Sequence, residues 1–499
     1  MKVAKMISLN EHVLEEKMGD LEQIRSWSPR VISKLETLIR TGDDYSLFRI
    51  NPIQYASERG MSDAEAIDLF LHSTKIGLFE MEWNLLCPSC GHVIESFAAL
   101  KRLHSHAVCN PCSLDLDVAL DDFIQVTFTI SLRIRDNVFR YPASLSAEDY
   151  FLRYSLTKDI QPQEPSPTLE TERDSTLLLT HVQPGQPIRV EADLVPGVLL
   201  LKDYTKNPLV TFLIGNQAGD EQHVVVHVVD GQYRTISHPA APVDFQTGVF
   251  DRHSPQAAFL NPGRTVLEIE NRMDEPTPLW ISNMTPNDGL RPIQLRPFVS
   301  GKKLLTTQTF RNLFRTEVIQ TDEGIGVQDI TFLFTDLKGS TAMYDQVGDA
   351  KAYFLVRQHF ETLNRVIAQN CGAVVKTIGD AVMATFMNPA DAVKAAVEML
   401  RDIDEFNKGI TEDLILKIGV HRGHSIVVTL NDRLDYFGQT VNIASRVQGL
   451  ADAGEIYITD EAFNYPGVDV IVEPFECVPM QADVKGVRSQ LRVHKIAAR

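Results

Sequence analysis

From residue 328 onward the chain alternates strand-length apolar runs with helix-length amphipathic ones, and this rhythm restricts the fold more than any other feature. "ITFLFTD" reads as a strand and "AYFLVRQHFETLNRVIAQN" as a helix. "AVVKTIGDAVMATF" reads as a hairpin turning at Gly379-Asp380, and "PADAVKAAVEMLRDIDEF" as a second helix. The strands "LILKIGVH" and "SIVVTL", the helix "TVNIASRVQGLA" and the strand "EIYIT" continue the pattern. Such a segment buries a sheet of about four to six strands against its helices as an α/β sandwich.

The upstream chain is patterned differently. Residues 10 to about 80 carry helical periodicity, with Ser62 placed to cap "DAEAIDLFLHSTK". The outline is winged-helix-like, but its would-be recognition helix holds Asp63, Glu65 and Asp68 against a single late Lys75. That composition predicts packing or dimerisation rather than nucleic-acid contact. Next, Cys87 and Cys90 are separated by two residues, as are Cys109 and Cys112, with eighteen residues between the pairs. Two such knuckles present four thiolates to a tetrahedral ion, so a structural zinc ribbon is expected, with His92, His104 and His106 close enough to replace one cysteine. Four thiolates leave no open position for catalysis. Cys371 and Cys477 stand alone and are expected to be small buried side chains.

Between about 116 and 300, β-branched runs such as "PIRVEADLV" and "HVVVHVVDGQYRTIS" alternate with Gly, Pro and Asp, which predicts a β-sandwich. The whole reads as a multidomain α+β chain: a helical, winged-helix-like region over 1–86, a zinc ribbon over 87–115 and a β-rich domain over 116–305. A connecting helix over 306–327 and the α/β domain over 328–499 complete it.

Charge excludes some functions. The 499 residues hold 48 Lys and Arg against 66 Asp and Glu, a formal charge of −18, which opposes binding of nucleic acid or anionic membranes through net charge. "MKVAKMISLN" lacks the apolar core of a secretory signal, and no apolar run approaches the ~20 residues of a membrane helix. A cytoplasmic protein with no membrane partner is expected. No GxxxxGK[ST] loop is present, so a P-loop mechanism is not expected.

Chemistry concentrates in the C-terminal segment. In "FLFTDLKGST" a buried strand ends on Asp336, and Asp380 lies in the hairpin turn one helix later. A strand-helix-hairpin arrangement brings both turns to one sheet edge, where two carboxylates repel unless a cation lies between them. Hard oxygen ligands with solvent space suit Mg²⁺ or Mn²⁺.

"FTDLKGST", "VVKTIGDAVMATF" and "RLDYFGQTVNIASR" together resemble the catalytic domain of class III nucleotidyl cyclases, over about residues 326 to 496. The resemblance implies a ferredoxin-like sheet with helices on one face, working as a head-to-tail homodimer with shared active sites. It implies that Asp336 and Asp380, with the carbonyl of Leu337, hold two Mg²⁺ or Mn²⁺ ions. It gives Asn442 the orientation of the ribose and Arg446 the pentavalent phosphate, and the four-residue spacing sets both on one helix face. Lys376 and Asp435 stand where the family reads adenine, Lys donating to ring N1 and Asp accepting from the N6 amino group. All six positions are intact, which implies an adenylate cyclase (a phosphorus-oxygen lyase) making cyclic AMP and pyrophosphate from ATP. Lys485, in "DVKGVRSQLRVHKI", is a further phosphate contact suggested by the resemblance, whereas His424 stands where many relatives place Arg. The upstream region resembles an uncharacterised zinc-containing module found ahead of some bacterial cyclases, and its regulator is unknown. The alternatives are a guanylyl cyclase, or a zinc-ribbon scaffold whose cyclase domain binds nucleotide silently.

Overall fold

The computed structural model describes residues 9–497 except 110–113, 122, 162–174, 203–208, 218, 230–231, 238–256, 286–292, 320–323, 411–412 and 485–489. Four helices open the fold: α1 (Glu11–Ile24), α2 (Pro29–Thr41), α3 (Pro52–Arg59) and α4 (Asp63–Lys75). The Ser62 hydroxyl accepts the Glu65 N–H at 3.2 Å, the N-cap expected from sequence. α4 buries Ala66, Ile67, Leu69, Phe70 and Leu71, which makes it a packing helix.

These helices cover a sheet built from β1 (Phe79–Leu86), β2 (Val93–Phe97) and β5 (Ile124–Ile130), while β3 (His106–Cys109) and β4 (Leu114–Asp117) form a separate hairpin. Every residue of β5 is buried, and β5 lies antiparallel to β1. Strand pairing thus crosses the 115/116 division read from sequence. The chain then leaves, and nine strands between Thr176 and Met284 form sheets of four and five strands around an apolar core. It returns at β6 (Val299–Ser300), which pairs with β5 and completes the first sheet.

Two short helices follow, α5 (Gly301–Leu305) at the end of the stretch expected to be β-rich and α6 (Gln308–Leu313) where the connecting helix was expected. The C-terminal domain contains β7 (Ile325–Leu337), α7 (Ser340–Val347), α8 (Asp349–Gln369), β8 (Ala373–Ile378), β9 (Ala381–Phe386) and α9 (Pro389–Asn407). It continues with β10 (Leu416–Leu430), β11 (Arg433–Phe437), α10 (Gln439–Gln448), β12 (Ile456–Thr459), β13 (Glu476–Ala482) and β14 (Leu491–Ala497). The sheet order is β8-β9-β7-β10-β12-β14-β13, with β11 paired to β10 off this path.

Alternation along β7 divides the core. Leu333 and Leu337 pack with α8 and α9 on one face, whereas Phe332 and Phe334 join the core that continues into the N-terminal unit. Phe310 of α6, with Val299 and Leu304, belongs to that second core. The two ends of the chain are therefore packed together, and a buried polar group pins the junction. Lys302 Nζ lies 3.1 Å from Asp121 and donates to the Gln328 carbonyl at 2.9 Å, while Asp121 accepts the Gln328 N–H at 2.5 Å. Asp121→Ala would strand a buried ammonium and an amide, so urea unfolding should register a loss of about 3–5 kcal/mol.

Cys371 departs from expectation. It follows α8 in the left-handed region at φ 58° and is exposed, because Gly372 N–H folds back to the Ile367 carbonyl and turns the side chain outward. Cys477 is only half-buried. Among the described residues no helix is long and apolar enough to cross a membrane.

Candidate active site

Register explains why the two aspartates meet. Phe334 faces Met383 across β7 and β9, so two residues further Asp336 comes opposite Ala381, beside Asp380. Buried Thr335 fastens the two strands there, its hydroxyl accepting the Val382 N–H at 3.1 Å. The hairpin closes through Gly379 at φ 63°, a conformation in which a Cβ is strained. Asp336 and Asp380 thus stand at one sheet edge, as the spacing predicted.

Their electrostatics suit a cation. Burial and the neighbouring Asp380 charge hold the Asp336 carboxyl above its ordinary range, opposed by Lys417 and the Leu337 N–H. Asp380 Oδ2 is shut off from solvent and has no hydrogen-bond partner among the described residues. An orphaned carboxylate oxygen beside a second carboxylate is the donor set that a hard divalent ion satisfies. Leu337, the expected carbonyl ligand, ends β7 with its side chain in the core.

The two residues expected to read a purine are also brought together. Lys376 on β8 and Asp435 on β11 belong to strands that do not pair, yet their side chains meet at 2.5 Å across the sheet face. α10 carries Asn442, exposed, and Arg446, half-buried, while Ile443, Ala444 and Val447 hold the opposite face in the core. The helix sits directly on β10 because Gly419 has no side chain: a Cβ there would come within 2.2 Å of the Gln448 backbone nitrogen. Lys485 lies outside the described residues.

Two neighbours were missed from sequence. Gln448 lies beside Asp336 and favours its ionised form. His359 of α8 is fully buried behind the Asp380 turn, and burial pushes its imidazole down to about 4, so it is neutral at pH 7 and adds no competing charge. Both were findable: His359 falls on the apolar stripe of Leu355 and Leu363, and Gln448 closes the helix that carries Arg446.

A second constellation lies in the N-terminal unit. The Sγ atoms of Cys87, Cys90 and Cys109 lie within 4.8 Å of one another, with Cys90 and Cys109 3.8 Å apart. Thiolates about 2.3 Å from a tetrahedral zinc would be about 3.8 Å apart, far longer than a disulfide bond. Cys112 lies outside the described residues. His92, His104 and His106 are not among the converging groups, and His106 pairs instead with Asp117 at 2.8 Å.

Comparison with known proteins matches two separate segments of the chain. Residues 325–494 match the family described as "Adenylate and Guanylate cyclase catalytic domain", and residues 15–227 match a family of unknown function, DUF5939. The C-terminal domain is a member of the adenylate and guanylate cyclase catalytic-domain family. An adenylate cyclase of Anabaena cylindrica is 31% identical over 135 residues, covering 24% of this chain and 27% of that protein. A pH-sensitive adenylate cyclase of Mycobacterium tuberculosis is 25% identical over 252 residues, covering 49% of this chain and 58% of that protein. The chain thus spans about a quarter of the first relative and rather more than half of the second. Among solved structures, the adenylyl cyclase CyaB from P. aeruginosa is similar at a TM-score of 0.31 and 23% identity, over 35% of this chain and 96% of that one.

Proposed function

We propose that the protein is an adenylyl cyclase that converts ATP to 3′,5′-cyclic AMP and pyrophosphate. The observation that carries the reading is the Lys376–Asp435 pair, a donor and an acceptor set side by side at 2.5 Å. Adenine offers an acceptor at N1 and a donor at N6, complementary to these groups. Guanine reverses both polarities and would leave them unpaired, which is costly in a part-buried site.

Asp336, Asp380 and the Leu337 carbonyl would hold Mg²⁺ or Mn²⁺, which when bound supplies Lewis-acid charge for a displacement at phosphorus. The chain's own groups do the rest. Asn442 orients the ribose so that its 3′-oxygen lies in line with the α-phosphorus. The 3′-oxygen forms a bond to that phosphorus as its proton departs to solvent, and the bond to the bridging oxygen breaks, releasing pyrophosphate. Arg446 neutralises charge on the equatorial oxygens as it develops.

A homodimer would supply Asp336 and Asp380 from one chain and Lys376, Asp435, Asn442 and Arg446 from the other, giving two equivalent sites. Apolar Ile378 and Phe437, 53% and 64% exposed at the ends of β8 and β11, suit such a contact. The cluster of Cys87, Cys90 and Cys109 is read as a structural zinc site.

The reading is tested by exchanging the base-reading groups. Lys376→Glu with Asp435→Cys should reverse the ATP-over-GTP preference by about 10²-fold or more in kcat/KM. Unchanged selectivity would remove this account of base choice.

A further inference from the structure

One short helix touches both strands that carry the base-reading pair. Gln308 of α6 accepts the Val374 N–H of β8 at 2.8 Å, two residues before Lys376. Three residues along, Arg311 donates through Nη1 to the Leu434 carbonyl of β11 at 3.2 Å, and its guanidinium lies over the Tyr436 ring at 5.4 Å. Leu434 and Tyr436 flank Asp435, so a single side chain grips the strand on both sides of the carboxylate. A third bond, from Arg311 Nε to the Leu305 carbonyl at 2.9 Å, fixes that guanidinium to the end of α5.

These grips add a direct brace to two strands that the sheet joins only through three others. β8 and β11 share no backbone ladder, since β9, β7 and β10 intervene in the sheet order. A cavity of about 300 Å³ lies beneath α6, lined by Arg311, Arg315, Lys376, Arg433 and Leu434. The two strands therefore meet through the Lys376–Asp435 pair and through α6, not through a shared ladder. The same helix is anchored on its other side in the N-terminal unit. Phe310 is buried edge-on against Trp83 with centroids 5.9 Å apart, and Thr309 Oγ1 donates to Asp68 of α4 at 2.6 Å.

We propose that α6 is a positioning clamp. Gln308 and Arg311 set the distance between Lys376 and Asp435, so the N-terminal unit governs purine recognition rather than the phosphoryl-transfer step. The inference rests on the reading of Lys376 and Asp435 as the base-reading pair. A displacement of α4 or β1 is carried by Thr309 and Phe310 to α6, and from there to both strands.

The test uses the full chain with Arg311→Ala, Arg311→Lys and Gln308→Ala, assayed with ATP and with GTP, alongside peptide-resolved hydrogen exchange. Arg311→Ala should raise KM for ATP about tenfold and lower the ATP-over-GTP preference about tenfold, with kcat for ATP within about twofold of wild type. Arg311→Lys should recover only part of the loss, because an ammonium can still donate to the Leu434 carbonyl but not also to that of Leu305. Gln308→Ala should speed exchange over 373–378, where the Val374 amide loses its acceptor, and Arg311→Ala should speed it over 433–437. A fall in kcat for both nucleotides at constant preference would mark a merely structural residue and overturn the proposal. So would unchanged exchange in both strands of folded variants. If wild type cyclises neither nucleotide, the base-reading account fails separately, and exchange still decides whether α6 braces the two strands.

Discussion

Replacing Asp336 with alanine should lower cyclic AMP synthesis by about 10³-fold or more while leaving the fold and its thermal midpoint nearly unchanged. The carboxylate is held above its ordinary range by burial and by Asp380, so removing it relieves repulsion and takes nothing from the core. Arg446→Ala should fail equally, for a different reason. The decisive arm mixes the two inactive proteins. If sites are shared, half of the re-associated dimers are mixed, and each holds one intact site of two, so activity should return to about a quarter of wild type. Recovery at background level would sink the shared-site arrangement while leaving the metal assignment to the single variant. The sign of the pH dependence follows from the same carboxyl. A raised affinity for protons means that protons displace the divalent ion at a higher pH than they would from an isolated carboxylate, so activity should fall early on the acid side.

The second large effect concerns the cysteine cluster. Purified protein should contain one zinc per chain, and Cys87→Ser with Cys109→Ser should abolish it, because both thiols are buried and converge on one point. Structural zinc contributes apparent binding energies of about 10–16 kcal/mol, so the variant should lose its cooperative thermal transition or shift it down by tens of degrees. Full stability with no bound metal would reduce the cluster to three packed thiols. Strong chelation should reproduce the loss in wild type.

Much of the C-terminal domain was legible because its signals are local. A strand ending on Asp336, a turn at Gly379-Asp380 and a helix with Asn442 and Arg446 four apart each declare themselves within a short window. Ser62 as an N-cap is legible for the same reason. What escaped is long-range. Nothing in "IQVTFTISLRI" says that it pairs with Phe79–Leu86 rather than with the strands that follow, since alternation specifies a face and not a partner. The grip of Arg311 on Leu434 joins residues 123 apart, and "TTQTFRNLFRTEV" reads as an ordinary amphipathic connector. Cys371 misled because cysteine usually seeks the interior, whereas a helix-ending turn decided its direction.

The sheet that combines β5 with β6 has an evolutionary corollary. Its strands come from before and after the nine-stranded sandwich, and the chain leaves and re-enters side by side, Gln161 N–H bonded to the Gln294 carbonyl at 2.8 Å and Ile160 bridged to Leu295. The sandwich is thus a cartridge plugged into a socket, touching it also where Phe151 stacks on Trp280. A lineage could exchange that cartridge for another of similar stem width without rewriting a residue of the C-terminal domain.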